Sequence, residues 1–121
     1  KKEPVDGDVS KLKEQTIILT EEEFNALSQL EGKRVNKIRY YYNYNNQIAE
    51  FDIFQGDLIG LVVIDFEFET EQEKNNFEMP EFCLVDITTE DFIAGGMICG
   101  KCYYNVEENL KKFDYKKLCL K

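Results

Sequence analysis

The sequence predicts an α+β fold, an antiparallel sheet with a few short flanking helices, on three observations. Segments 36–44, 48–54 and 61–69 alternate polar and apolar residues with the period of two that a strand requires. The breaks between them are short and rich in turn formers, Asn43-Tyr44-Asn45-Asn46 in one case and Gln55-Gly56-Asp57 in the other, so successive strands run back antiparallel. Thr20-Glu21-Glu22-Glu23 and Thr70-Glu71-Gln72-Glu73 have capping-box spacing, in which a threonine hydroxyl and a glutamate three residues on satisfy each other's backbone N–H groups.

In chain order, residues 1–10 are polar and contain Pro4 and Asp6-Gly7, which reads as a tail or hairpin loop. Residues 11–19 alternate weakly, as a strand. The first capping box opens a short amphipathic helix with Phe24, Leu27 and Leu30 on one face, ending at Gly32. The three strong strands follow. The second capping box opens a short helix that Phe77 and Pro80 close. Residues 84–88 read as a brief strand with Asp86 between Val85 and Ile87. Thr89-Glu90-Asp91-Phe92 begins a helical turn that Gly95-Gly96 ends, and Asn105 with Glu108 caps a last helix carrying Val106, Leu110 and Phe113. No internal repeat or linker interrupts the chain, so residues 1–121 form one domain.

The 24 acidic residues against 15 basic ones give a formal charge of -9, which argues against binding nucleic acid or an anionic membrane. The longest apolar run, residues 58–64 broken by Gly60, is too short to span a bilayer, and Lys1-Lys2-Glu3-Pro4 is not a signal peptide, so a cytoplasmic location is expected. The absence of histidine removes Ser-His and Cys-His catalysis and histidine metal ligands, leaving carboxylates, Lys, Arg and Tyr for any chemistry. Cys83, Cys99, Cys102 and Cys119 are expected to be reduced thiols. Cys99-Gly100-Lys101-Cys102 has the spacing of a redox pair or half a zinc site, but no thioredoxin-like pattern surrounds it, and packed thiols are the simpler reading.

Alternation puts Lys37 and Arg39 on one side of the first strong strand together with Tyr41, Glu50 and Asp52 on one side of the second, and Asp65 and Glu67 on one side of the third. With Asp86, these form one charged surface. An ordinary solvated sheet face is the plain alternative. Against it stands the segregation of charge by strand. Facing like charges on neighbouring strands cost up to about 1 kcal/mol per pair, which divalent cations among the carboxylates would relieve. Oxygen-only donors select Mg²⁺, Mn²⁺ or Ca²⁺, while an Arg fork and a Lys point charge suit phosphate oxygens. The tyrosines at 40–44 suit either packing on the strand or stacking on a nucleobase.

The ordered motifs Lys37-Ile38-Arg39-Tyr40, Glu50-Phe51-Asp52-Ile53-Phe54-Gln55-Gly56-Asp57-Leu58-Ile59-Gly60-Leu61, Ile64-Asp65-Phe66-Glu67-Phe68, Pro80-Glu81-Phe82 and Asp86-Ile87-Thr88 resemble the C-terminal half of a CYTH domain. The resemblance covers about residues 34 to 100. This is the triphosphate tunnel metalloenzyme family, which includes class IV adenylyl cyclase and thiamine triphosphatase. It implies a sheet closing partly or fully into a tunnel or barrel lined with charge, and a metal-dependent triphosphate phosphohydrolase or adenylyl cyclase-like enzyme. Mg²⁺ or Mn²⁺ is the implied cofactor. The implied partner is a triphosphate-containing small molecule, whether nucleotide, thiamine triphosphate or inorganic triphosphate, and a homodimer is left open. A non-catalytic polyphosphate-binding or interaction module is the alternative.

Carried over by position, Lys37 and Arg39 would bind phosphate, with Lys13 as a third candidate and Lys11 its rival. Glu50, Asp52, Asp65, Glu67 and Asp86 would hold metal, and Asp65 and Glu67 would position the attacking water. Asp65 and Asp86 are one methylene shorter than the glutamates usual in the family. The family also opens with a Glu-x-Glu-x-Lys strand that nothing here matches, so a fragment, a half-domain needing a second chain, and a non-catalytic form all stay open.

Overall fold

The computed structural model describes residues 2–119; Lys1, part of the expected N-terminal tail or hairpin, lies outside them. Strands β1 (Lys2–Val5) and β2 (Asp8–Glu14) form an antiparallel hairpin around Asp6-Gly7, both at positive φ. The second strand therefore starts before the expected residue 11 and stops at Glu14. Ile17 and Ile18 beyond it are 84% and 92% exposed, and among the described residues no strand pairs with them. Helix α1 (Glu21–Ser28) carries the full capping box, Thr20 Oγ1 accepting from Glu23 N at 3.2 Å and Glu23 Oε2 accepting from Thr20 N at 2.9 Å. It ends before Gly32, and Phe24, Leu27 and Leu30 stay exposed.

The main sheet has the order β3-β4-β5, with β3 (Lys37–Tyr44), β4 (Gln47–Phe54) and β5 (Val62–Phe66) all antiparallel. Asn45 and Asn46 turn β3 into β4 with φ of 48° and 63°, the left-handed pair that a two-residue hairpin matching the strand twist needs. That turn sets the register. Arg39 stands opposite Asp52, which stands opposite Val63; one step along, Tyr41, Glu50 and Asp65 are in line.

Both faces are covered, and not as simple alternation suggests. The charged face also carries Phe54, Leu61 and Val63, and there helix α3 (Gly95–Ile98) and helix α4 (Tyr103–Lys111) build the core from Ile98, Tyr103, Val106 and Leu110, together with Leu58. The opposite face carries Tyr42, Ala49, Phe51 and Phe66. Helix α2 (Glu71–Asn76) delivers a strap, residues 77–82, across it: Phe82 packs on Tyr42, Tyr44 and Phe51, and Phe77 on Phe66 and Phe68.

Three local expectations are corrected. Residues 84–88 form no strand, because no sheet edge among the described residues pairs with them. Gly95-Gly96 open α3 instead of ending a helix, after a 3₁₀ turn at Asp91–Ile93. Cys102, not Asn105, is the N-cap of α4, and Asn105 at the third helical position reaches back, its Oδ1 accepting from Cys102 N at 3.0 Å. The fold is thus α+β with two antiparallel sheets, and among the described residues the sheets do not join into a closed barrel. No helix among the described residues is long and apolar enough to cross a membrane.

The C-terminal segment clips onto the sheet at Gly60. Tyr115 Oη donates to Gly60 O at 2.8 Å and accepts from Val62 N at 3.0 Å, while Leu118 N donates to Gly60 O at 2.9 Å. Gly60 has a φ of 101°, where a side chain is strained, and a Cβ there would run into the Lys117 side chain. Replacing Tyr115 with Phe removes two hydrogen bonds while keeping the ring, and is expected to lower the unfolding free energy by about 1–3 kcal/mol in urea titration with an unchanged slope.

Candidate functional site

The site is built on the middle of β3 and β4. Asp52 is 2% exposed, the one charged residue in the core set, because it lies beside Phe54 where the α4-covered core ends. A carboxylate there must be paired. Arg39, directly across the ladder, supplies a two-pronged partner, Nε to Oδ1 at 2.6 Å and Nη2 to Oδ2 at 2.8 Å. Lys37 Nζ also donates to Oδ2, its ammonium 5.9 Å from the Phe54 ring centre. Burial disfavours the ionised carboxyl, yet the hydrogen bonds from Arg39 and Lys37 outweigh it and hold Asp52 below the usual carboxylate range. Hydrogen bonding to Asp52 in turn raises the already high pKa of Arg39 against the opposing effect of burial.

The outer side of the guanidinium faces the remaining carboxylates. Nη1 lies 2.7 Å from Glu50 Oε2, and Nη2 is shared with Asp65 Oδ2 at 3.2 Å. Burial pushes the Glu50 carboxyl up; Arg39 pulls it down, but Glu67 and Asp65 push the same way as burial, and it stays raised. Four carboxylates therefore meet two cations on this face, and the surplus negative charge gathers at Glu50, Asp65 and Glu67.

Six of the expected residues, Lys37, Arg39, Glu50, Asp52, Asp65 and Glu67, come together here, Glu67 just past the end of β5. Asp86 does not stand on the sheet. Its Oδ1 accepts from Thr88 N at 2.9 Å and Thr88 Oγ1 at 2.6 Å, and these bonds hold its carboxyl below the usual range. Lys13 lies on β2 opposite Glu3, in the other sheet. Its rival Lys11 pairs with Glu71 at 2.6 Å, and Lys74 Nζ donates to Ser10 Oγ at 2.5 Å, so these contacts hold the first hairpin against α2. One residue of the face is polar-aromatic: Tyr41, opposite Glu50, which alternation placed beside Arg39.

An oxygen-only donor set with excess negative charge fits a hard divalent cation in kind. Among the described residues, however, no three acidic or thiol side chains converge as a metal cage, since Glu50 and Asp65 are drawn onto Arg39 instead of toward each other. No family model, curated protein or solved structure matches the chain.

Arg39→Met leaves Glu50, Asp52 and Asp65 without their shared cation and is expected to cost about 3–5 kcal/mol at pH 7, the range for breaking a buried pair on one side. The pH dependence fixes the cause. In the native protein Asp52 has a lowered pKa, so its contribution is complete above the unfolded-state value and lost as pH falls through the folded one. Without Arg39, Asp52 has only Lys37 to oppose its burial and Glu50 loses the cation that pulled it down, so protonation relieves the variant and the stability gap should narrow between pH 7 and pH 4.5. Urea midpoints of the two proteins at both pH values test this; a constant gap would assign the loss to packing.

Proposed function

We propose that the charged face of β3, β4 and β5 binds a triphosphate group together with Mg²⁺ or Mn²⁺, as one wall of a tunnel of the CYTH type, and supports hydrolysis or cyclisation of that triphosphate. The observation that carries this reading is the arrangement around Arg39: a guanidinium locked on one edge by buried Asp52 and shared on the other among Glu50 and Asp65, with Glu67 adding unneutralised charge nearby. The locked edge fixes the plane of the fork. The shared edge is available to any anion that can displace the two carboxylates.

Glu50, Asp65 and Glu67 are the residues that would hold a divalent cation, and Asp52 would not, because Arg39 and Lys37 already use it. The cation, when bound, would supply charge neutralisation on the phosphoryl group and activation of water. Once Glu50 and Asp65 turn from Arg39, its outer N–H groups can donate to phosphate oxygens as a fork, and Lys37 adds a compact positive charge on the same strand. Glu67, beyond the end of β5 and exposed, is placed to orient a water molecule and take its proton. Cation and polyphosphate binding are thereby linked: each removes the other's competitor at Arg39.

A second reading, binding without turnover, has its own support. The three-stranded sheet is open along the outer edges of β3 and β5 among the described residues, and an open wall does not exclude water as catalysis of phosphoryl transfer requires.

In thermal melts, Mn²⁺ with inorganic tripolyphosphate at about 100 times the dissociation constant should raise Tm by about 10 °C, more than the sum of the shifts from either alone. No shift from the pair would overturn the site. Release of inorganic phosphate in the same mixture separates the enzyme from the binding module, and Glu67→Gln should abolish release while reducing the Tm shift only in part, since Glu50 and Asp65 would still hold the cation.

A further inference from the structure

The tyrosines at 40–44 are not one cluster. Tyr42 and Tyr44 are packing residues: they make edge-on contacts with Phe82 at ring-centre distances of 6.4 and 5.4 Å, and Tyr42 also meets Phe51 at 6.3 Å. Tyr40 points to that same opposite face by alternation. Tyr41 alone belongs to the charged face. It stands two residues from Arg39 on β3 and directly across from Glu50, it is 69% exposed, and among the described residues no aromatic ring packs against it. An exposed ring at the edge of a charged site is a surface for another flat ring.

We propose that Tyr41 is a specificity residue that stacks on the base of a nucleoside triphosphate whose phosphates lie along Arg39 and Lys37. This rests on the proposed triphosphate site and names its substrate class. Successive same-side residues on a strand are separated by about 7 Å, so phosphates at Arg39 and a ring at Tyr41 are neighbours on one surface. The line Lys37, Arg39, Tyr41 gives that surface a direction: a point charge, a fork, then an aromatic plate. Moving along it, the ligand changes from phosphate to base.

Isothermal titration of the full chain in Mg²⁺ with ATP, GTP and inorganic tripolyphosphate tests the idea. ATP and GTP should bind at least about tenfold tighter than tripolyphosphate, as base–aromatic stacking provides. Tyr41→Ala should remove that advantage and leave tripolyphosphate affinity unchanged; Tyr41→Phe should keep it; Tyr40→Ala, on the other face, should change neither. Equal affinity of the native protein for nucleotide and tripolyphosphate overturns the stacking assignment and leaves the phosphate site standing. An equal loss for every ligand in Tyr41→Ala also overturns it, making the ring a structural support. Failure of all three ligands to bind the native protein overturns both readings.

Discussion

The structure depends on one buried ion pair. Asp52 sits on the middle strand where the apolar core gives way to charge, and a lone carboxylate at that depth would cost several kcal/mol or become protonated. Arg39 solves this because its fork matches a carboxylate edge to edge, and the ladder brings it directly opposite. A one-residue slip of β3 against β4 would carry Arg39 to the other face and leave Asp52 buried among apolar residues. The pair therefore fixes register as much as it supplies charge. Everything outward of it, Glu50, Asp65 and the orientation of the guanidinium, follows from the way Asp52 holds the inner edge.

That boundary divides a single sheet face into two zones. At the Phe54 end, Leu61 and Val63 meet Ile98, Val106 and Leu110, and the Tyr115–Gly60 clip keeps the C-terminal segment seated. Toward the β3–β4 turn the face is charged, the Glu50 side chain keeping 14% of its exposure and that of Asp65 52%. The two zones are mutually useful: the packed end immobilises β4 and β5, so charged side chains a few residues away start from a rigid base. On the opposite face the strap with Phe77 and Phe82 does the same work with aromatic contacts, which frees the charged zone from contributing to the core.

Much of this was legible in the sequence. The period of two located β3, β4 and β5, though it carried the last strand three residues past Phe66, the Asn45-Asn46 turn set the β3–β4 pairing, and both threonine caps opened helices where expected. Of the seven charged residues that alternation put on one surface, six do lie together, Asp86 being the exception. What parity cannot say is which end of a face a distant helix will cover, so alternation does not mark Phe54 and Leu61 as core residues or Val63 as packed against them. The segment 84–88 alternates too, but three alternating residues without a partner strand form no ladder, and Asp86 binds its own neighbour Thr88. Gly95-Gly96 carry the weak signal of any glycine pair, which ends a helix or starts one according to what the flanking chain packs against. Lys13 lies in a hairpin apart from the main sheet, whose side-chain contacts, Lys11 with Glu71 and Ser10 with Lys74, join residues far apart in sequence and invisible to local pattern.

The sharing of Arg39 has a further consequence for how a site of this kind would work. A guanidinium bonded on one edge by a buried acid loses little conformational entropy when a ligand arrives, since its plane is already set. Its other edge is held by two acids with little to spare: Asp65 is more than half exposed and bonded at 3.2 Å, and Glu50 is kept above the usual carboxylate range by burial, Glu67 and Asp65. Those acids gain by exchanging a shared cation for one of their own, and Arg39 gains by exchanging two divided carboxylates for a phosphate it can grip with both prongs. Neither exchange is favourable alone, because each leaves a charge behind. Together they leave none, so on the proposed reading a cation and a polyphosphate would each favour the other's binding at this face, and the surplus of carboxylates would be what couples them.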